Sequence, residues 1–210
     1  MLLLLPTAIL GYLLGSFPTA YLLVHWKSNI DIRKAGSGNV GTLNSLQVTG
    51  SNVIGIAVLL ADVLKGVIAV LLGKAIGGDE FWPGALCGLC AVAGHNFPVW
   101  LKFRGGRGLA TAVGVASAFA WMFIAPWLVL WAIGFSIWKK VNMGNAFASL
   151  MLAVASLALP DKVIGFLVPV TIPLASFRLF VVVLMALVLV KHIEPVQKYF
   201  KEKQLQNSQA

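Results

Sequence analysis

Polar residues along this chain are few and gathered in short clusters, and the apolar runs between them are long enough to cross a bilayer, which takes about 20 residues. Four runs read as single helices: Leu2 to Trp26, Asn52 to Leu72, Phe81 to Leu101 and Met143 to Leu159. The stretch from Leu109 to Trp138 is too long for one helix and reads as two spans broken near Pro126. The run from Val163 to Val190 contains Pro169, Pro173 and Arg178, and reads as an interfacial piece followed by a seventh span from about Ile172. No run alternates with period two over ten residues, so the spans are helices and not barrel strands. The pattern predicts an all-α polytopic membrane protein with about seven transmembrane helices. One integral membrane domain is expected over residues 1–200, without internal repeats. A polar tail (201–210, KEKQLQNSQA) reads as solvated or frayed chain. The first run lacks a basic leading segment and is too long for a signal-peptide core, so it reads as a retained span.

Composition sharpens this. Hydrophobic residues make up 59% of the 210 and charged residues only 11%, with a mean hydropathy of +0.89. Soluble domains carry about 25% charged residues, so a water-soluble globule, a disordered chain and a disulfide scaffold are all excluded. The net charge of +9 would suggest nucleic acid in a soluble protein; here it reports sidedness, and no nucleic-acid partner is expected. Lys27, Arg33 and Lys34 follow the first span, and Lys102, Arg104 and Arg107 the third. Lys139 and Lys140 follow the fifth, and Lys191, Lys198, Lys201 and Lys203 the seventh. With seven spans all these cations share one side, which the positive-inside rule makes cytoplasmic. The N-terminus is then outside and the C-terminus inside.

Several motifs read as packing. Cys87 and Cys90 have no second pair and no cluster of acids or histidines near them, so they behave as small apolar residues. Gly11 and Gly15 are spaced for close helix contact. Trp26, Trp82, Trp100 and Trp138 stand at predicted span ends, as an aromatic belt does. No metal or cofactor is expected.

Two cytoplasmic loops carry candidate chemistry. Asp31 to Gln47 (DIRKAGSGNVGTLNSLQ) holds Gly36, Gly38 and Gly41 beside Arg33 and Lys34. Its G-x-G-x-x-G spacing follows a membrane helix and not a strand, so a dinucleotide fold is rejected, but glycines still let backbone N–H groups converge on an anion. Leu101 to Thr111 (LKFRGGRGLAT) sets Lys102, Arg104 and Arg107 among Gly105, Gly106 and Gly108, just before a helix expected near Leu109. Glycines, cations and a helix N-terminus favour phosphate. Two such loops on one face suit either two phosphate-bearing ligands or one ligand held twice. His95, near the end of the third span, either bridges helices or serves a site. Asp62 and Lys65, three apart in the second span, read as a buried structural pair bracing the loops, with a proton relay as the sharper alternative. His192 beside Lys191 either lines the same site or caps the last span.

These motifs, in this order, resemble the bacterial membrane acyl-phosphate:glycerol-3-phosphate acyltransferase family over nearly the whole chain. Its glycine motif matches Gly36-Ser37-Gly38-Asn39-Val40-Gly41 and Asn44, and its D-x-x-K-G matches Asp62, Lys65 and Gly66. Its G-H and following glycine segment match Gly94-His95 and Phe103 to Thr111, and its terminal basic-histidine pair matches Lys191-His192. The resemblance implies acyl transfer from acyl phosphate to the 1-hydroxyl of glycerol 3-phosphate, giving lysophosphatidic acid, in the cytoplasmic (inner) membrane of a bacterium. On that basis Ser37 and Asn39 bond the reacting phosphate or carbonyl, while His95 and His192 orient ligand or loop. Phosphate is held by Arg33, Lys34, Gly36, Gly38, Gly41 and Asn44 in the first loop, and by Lys102, Arg104, Gly105, Gly106, Arg107 and Gly108 in the second. An acyl phosphate is already activated, so positioning and charge stabilisation suffice. The family pattern is broken at Leu43, Gln47, Asn142 and Pro195, where threonine, arginine, serine and asparagine are usual. These positions raise two alternatives: a different acceptor, or a binding subunit without catalysis.

Overall fold

The structure is a computed structural model that describes residues 3–78, 80–168 and 171–209. Among these residues regular structure is helical throughout, with no strand. The α-helices are α1 (Leu4–Ser16), α2 (Thr19–Ser28), α3 (Thr42–Thr49), α4 (Asn52–Gly77), α5 (Phe81–Asn96) and α6 (Leu109–Ala120). There follow α7 (Ile124–Trp138), α8 (Val141–Ala158), α9 (Asp161–Gly165), α10 (Leu174–Val190) and α11 (Ile193–Ser208). Five stretches are long and apolar enough to cross a membrane: Leu4–Ser28, Asn52–Gly77, Phe81–Leu101, Trp121–Trp138 and Val141–Ala158. A sixth appears if α10 and α11, bent by 50° at their junction, form one span.

Three of the expected elements are built differently. The first span is two helices, because Pro18 lacks an N–H and disfavours helical geometry at the residue before it. Phe17 accordingly leaves the helix at φ −58°, ψ 120°. The break in the fourth apolar stretch falls at Trp121–Phe123, a 3-10 turn, and not at Pro126. Pro126 lies in the first turn of α7, where a missing N–H costs no intrahelical bond. The 12 residues of α6 extend only about 18 Å at 1.5 Å per residue, short of the roughly 30 Å hydrocarbon layer. The tail, expected to be frayed, continues α11 to Ser208 with residues 201–209 all exposed. The expected interfacial segment holds α9, and Pro169 lies outside the described residues.

The chain forms two compact units, one ending at Trp121 and one beginning at Met122. The first is assembled through small residues. A Cβ on Gly11 or Gly15 would run into the backbone of Cys87 or Ala91, and one on Gly94 into Tyr12 and Ser16, so α1 and α5 pack backbone to backbone. Cys87 is fully buried in this seam. Gly66 and Gly114 bring α4 and α6 equally close, against Thr111 and Val63. Beneath the α2–α3 region Ala20, Val24, Ile32, Val40, Ile54, Val58 and Leu101 form an apolar cluster that anchors both glycine segments. Leu5, Ile9 and Leu13 on α1, and Ile56, Leu60 and Leu64 on α4, face outward, as lipid contact requires.

In the second unit Phe123 meets Phe177 edge to face at 4.8 Å, and the Trp127 indole N–H donates to Ser149 at 3.2 Å. Arg178, an intramembrane-flanking cation, closes the end of α8: its guanidinium donates to the carbonyls of Ser156 and Leu159 and pairs with Asp161 at 2.6 Å. A helix end leaves such carbonyls without partners, and the guanidinium supplies them.

Candidate phosphate site

The first glycine loop is built from the inside. Asn44, at the start of α3, is 1% exposed. Its carboxamide oxygen accepts from the Ser37 N–H at 2.9 Å, and its amino group faces the carbonyls of Asn39, Ala35 and Ile32 at 3.0, 3.1 and 3.2 Å. Gly36 and Gly38 are left-handed, at φ +58° and +70°, and a Cβ on Gly36 would strike the Asn44 side chain. The loop therefore wraps around one amide. Ser37 is left exposed and Asn39 half-buried, while Gly41 is buried.

Two residues expected to hold phosphate here have other work. Asn44 spends its side chain on the loop's own backbone. Arg33 forms a two-point contact with Asp31 at 2.9 and 2.8 Å and lies 5.1 Å from the centre of the Tyr21 ring. The Arg33 guanidinium holds the Asp31 carboxyl down to about 2, so both partners are charged near neutral pH. Lys34 next to it is exposed.

The second loop starts where α5 ends. Past Pro98 the chain makes a 3-10 turn at Val99–Leu101, then turns through left-handed Lys102 and Phe103 at φ 54° and 62°. Gly105 and Gly106 are pressed onto the end of α5: the Gly106 N–H donates to the His95 carbonyl at 3.0 Å, and a Cβ on Gly105 would meet the His95 carbonyl and Pro98. Close packing demands these glycines as much as any ligand does. Gly108, at φ +75°, caps α6. Lys102 and Arg104 are exposed, and Arg107 is half-buried. The two loops meet at one point, where a Cβ on Gly106 would lie 2.6 Å from the Val40 carbonyl oxygen.

Behind this meeting point lies a buried charge cluster. Lys65 Nζ is 2.9 Å from Asp62 Oδ1 and donates to the Phe17 carbonyl at 2.6 Å. That carbonyl lies at the α1–α2 break and also accepts the Thr19 N–H at 3.0 Å, so the lysine serves as ion-pair partner and as a second donor at the broken helix. The same Asp62 oxygen faces His95 Nδ1 at 3.6 Å. Side-chain exposure is 2% for Asp62 and 8% for Lys65 and His95. Ser16, Asp62, Lys65, His95 and Gly105 are among the residues lining a small pocket. Ser16 is fully buried, and its hydroxyl has no hydrogen-bond partner among the described residues. The Asp62–Lys65 pair was legible from spacing. Membership of His95 and Ser16 was not, because neither neighbours the pair in sequence; the one available signal was Pro18 inside an apolar run.

His192 belongs to the second unit and is 1% exposed. Its Nδ1 lies 2.8 Å from the Val188 carbonyl and its Nε2 3.3 Å from the Asn145 amide nitrogen. These partners suit the neutral ring with the proton on Nδ1 and Asn145 donating to Nε2. The contact ties the end of α10 to α8.

Residues 5–202 match the family described as glycerol-3-phosphate acyltransferase. The chain belongs to that family. A relative from Moorella thermoacetica, named glycerol-3-phosphate acyltransferase 2, is 43% identical over 158 residues, covering 75% of this chain and 76% of the relative. One from Synechococcus elongatus, named glycerol-3-phosphate acyltransferase, is 37% identical over 169 residues, covering 75% and 80%. One from Dehalococcoides mccartyi reaches 45% identity over 141 residues, covering 65% of this chain but only 58% of that relative. Among solved structures, the integral membrane glycerol 3-phosphate acyltransferase PlsY (YgiH) superposes in its glycerol 3-phosphate form with a TM-score of 0.73 at 26% identity. Its lysophosphatidic acid form gives 0.75 at 28%; in both cases 95% of this chain and 92% of the neighbour are covered. The positions at which this family member departs from the pattern lie at helix starts or on α3: Gln47 is exposed on α3, Asn142 is half-buried in the first turn of α8, and Pro195 sits in the first turn of α11.

Proposed function

We infer that this chain acylates the 1-hydroxyl of glycerol 3-phosphate, with acyl phosphate as donor, to give lysophosphatidic acid for phospholipid synthesis. The observation that carries the reading is the convergence of two glycine loops at Val40 and Gly106, with exposed Ser37, Lys102 and Arg104 in the same two loops. The acceptor oxygen attacks the acyl carbonyl carbon, the bond from that carbon to the phosphate oxygen breaks, and the leaving phosphate takes up the hydroxyl proton. Negative charge grows on carbonyl and leaving group together, so donors already in place are what the reaction needs. The reading assigns Ser37 and Asn39 to the reacting centre. Phosphate contact falls to Lys34, Lys102, Arg104 and Arg107, and to the backbone of both loops. The purified protein given a long-chain acyl phosphate and labelled glycerol 3-phosphate should release lysophosphatidic acid and phosphate in equal amounts. Product only with another polyol would replace the acceptor, and no product with any acceptor would replace catalysis by binding. Within that assay Ser37→Ala should lower turnover by about 10²–10³, the usual loss for one oxyanion donor. Turnover near wild type would reduce Ser37 to a turn residue.

The same reading counts α6 as a short crossing and α10 as the last, and so gives the chain seven crossings of a bacterial inner membrane, with the N-terminus outside and both glycine loops inside. The four clustered basic segments support it. In intact cells, with Cys87 and Cys90 replaced by alanine, an impermeant thiol reagent should label Glu80→Cys and spare Lys34→Cys. Labelling of Lys34→Cys alone would invert the topology.

A further inference from the structure

We propose that His95 is the positioning residue that holds the two glycine loops at a fixed separation, with Asp62 and Lys65 behind it setting the orientation of its ring. Three observations meet at this side chain. Its Nδ1 faces Asp62 Oδ1 at 3.6 Å. Its Nε2 edge lies against Gly106, where any Cβ would collide with it. The Val40 carbonyl of the first loop packs onto the same glycine. The ring therefore stands as a spacer between a charge fixed in α4 and the point where the loops touch.

The backbone of His95 adds a second hold, since its carbonyl accepts the Gly106 N–H at 3.0 Å. Movement of the α5 end would thus carry the second loop with it, and the side chain governs how closely the first loop approaches. At 3.6 Å the Asp62 carboxylate acts on the ring through its charge and not through a close hydrogen bond. Asp62 is itself held by Lys65, which also bonds Phe17 at the break between α1 and α2. One buried chain of groups thereby links a helix break in the membrane to both loops at its surface. Donors for a transition state must be held to within about half an ångström, and a glycine-rich backbone does not supply that rigidity by itself. His95 touches loop backbone, so its role is placement and not contact with reacting atoms.

The test uses two near-isosteric variants of the full chain in detergent. His95→Asn keeps a nitrogen donor toward Asp62 but has nothing at the Nε2 position; His95→Gln places an amide nitrogen there. Hydrogen exchange should rise at least tenfold in both residues 36–41 and residues 104–108 of His95→Asn, with α4 and α5 protected as in the parent. His95→Gln should stay within about threefold of the parent in both loops. Exchange that rises only in the second loop, equal behaviour of the two variants, or loss of protection along α5 as well would overturn the proposal. The kinetic arm alone rests on the acyltransferase reading: turnover should fall at least tenfold in His95→Asn and much less in His95→Gln. A parent protein without turnover, combined with the expected exchange pattern, would sink that reading and leave the positioning role standing.

Discussion

Asp62→Asn should cost this protein about 3–5 kcal/mol of stability, the loss expected when one partner of a buried ion pair is removed. The shape of the side chain is kept, so packing is not the cause. Lys65 would retain the Phe17 carbonyl but would carry an uncompensated charge at 8% exposure, in the middle of an apolar helix. A charge stranded there is expensive because neither water nor a counter-charge can reach it. Thermal or denaturant unfolding in detergent measures the change. The double variant Asp62→Asn with Lys65→Met should be more stable than Asp62→Asn alone, since it removes the stranded charge. If Asp62→Asn unfolds like the parent yet is inactive, the pair takes part in the reaction and does not merely brace the fold.

Asn44→Ala should have the second large effect, on the first glycine loop. It removes at one stroke the acceptor of the Ser37 N–H and the donor shared by the carbonyls of Ile32, Ala35 and Asn39. The three carbonyls keep one backbone donor each, the N–H of Ala35, Gly38 and Gly41, so each hydrogen bond lost with the amide costs about 0.5–1.5 kcal/mol. Lost together, these bonds suffice to favour an open loop over the closed one. At about 1.4 kcal/mol per factor of ten, turnover should drop to roughly a hundredth or below, while the rest of the fold persists. The discriminating measurement pairs an activity assay with limited proteolysis: cleavage should become fast within residues 32–41 and stay slow elsewhere. An Asn44→Ala protein with a protease-resistant loop and normal turnover would show that the glycines and the apolar cluster beneath them hold the loop unaided. Asn44→Asp separates the two halves of the role, keeping an acceptor for Ser37 while losing the donor to the three carbonyls.

Much of the site was legible without coordinates. The glycines of both loops, the exposed Ser37, Lys102 and Arg104, and the Asp62–Lys65 pair are all local patterns, and local patterns survive in a one-dimensional reading. What residue type does not give is orientation. Arg33 and Asn44 carry the chemistry of anion binding, yet Arg33 is committed to Asp31 and Tyr21, and Asn44 points inward to the loop backbone. Asp31 stood in the sequence two positions from Arg33, so that pairing had a signal. Nothing local marked Asn44, whose partners lie five to twelve residues before it.

By itself the sequence determined that this is a helical membrane protein, since long apolar runs admit few other structures in lipid. It also determined the family, through ordered motifs within short segments. Pro18 marked the first helix break in the sequence, but tertiary structure alone decided what completes it. The interruption at Phe17–Pro18 is stabilised by Lys65, 48 residues away. Tertiary structure alone placed His95, which meets Asp62 across two helices and Gly106 across a turn. The reason is physical: hydropathy and spacing report how a segment meets lipid or water. A buried polar group instead takes its role from whichever donors and acceptors packing brings within about 3 Å, and those come from elements far apart along the chain.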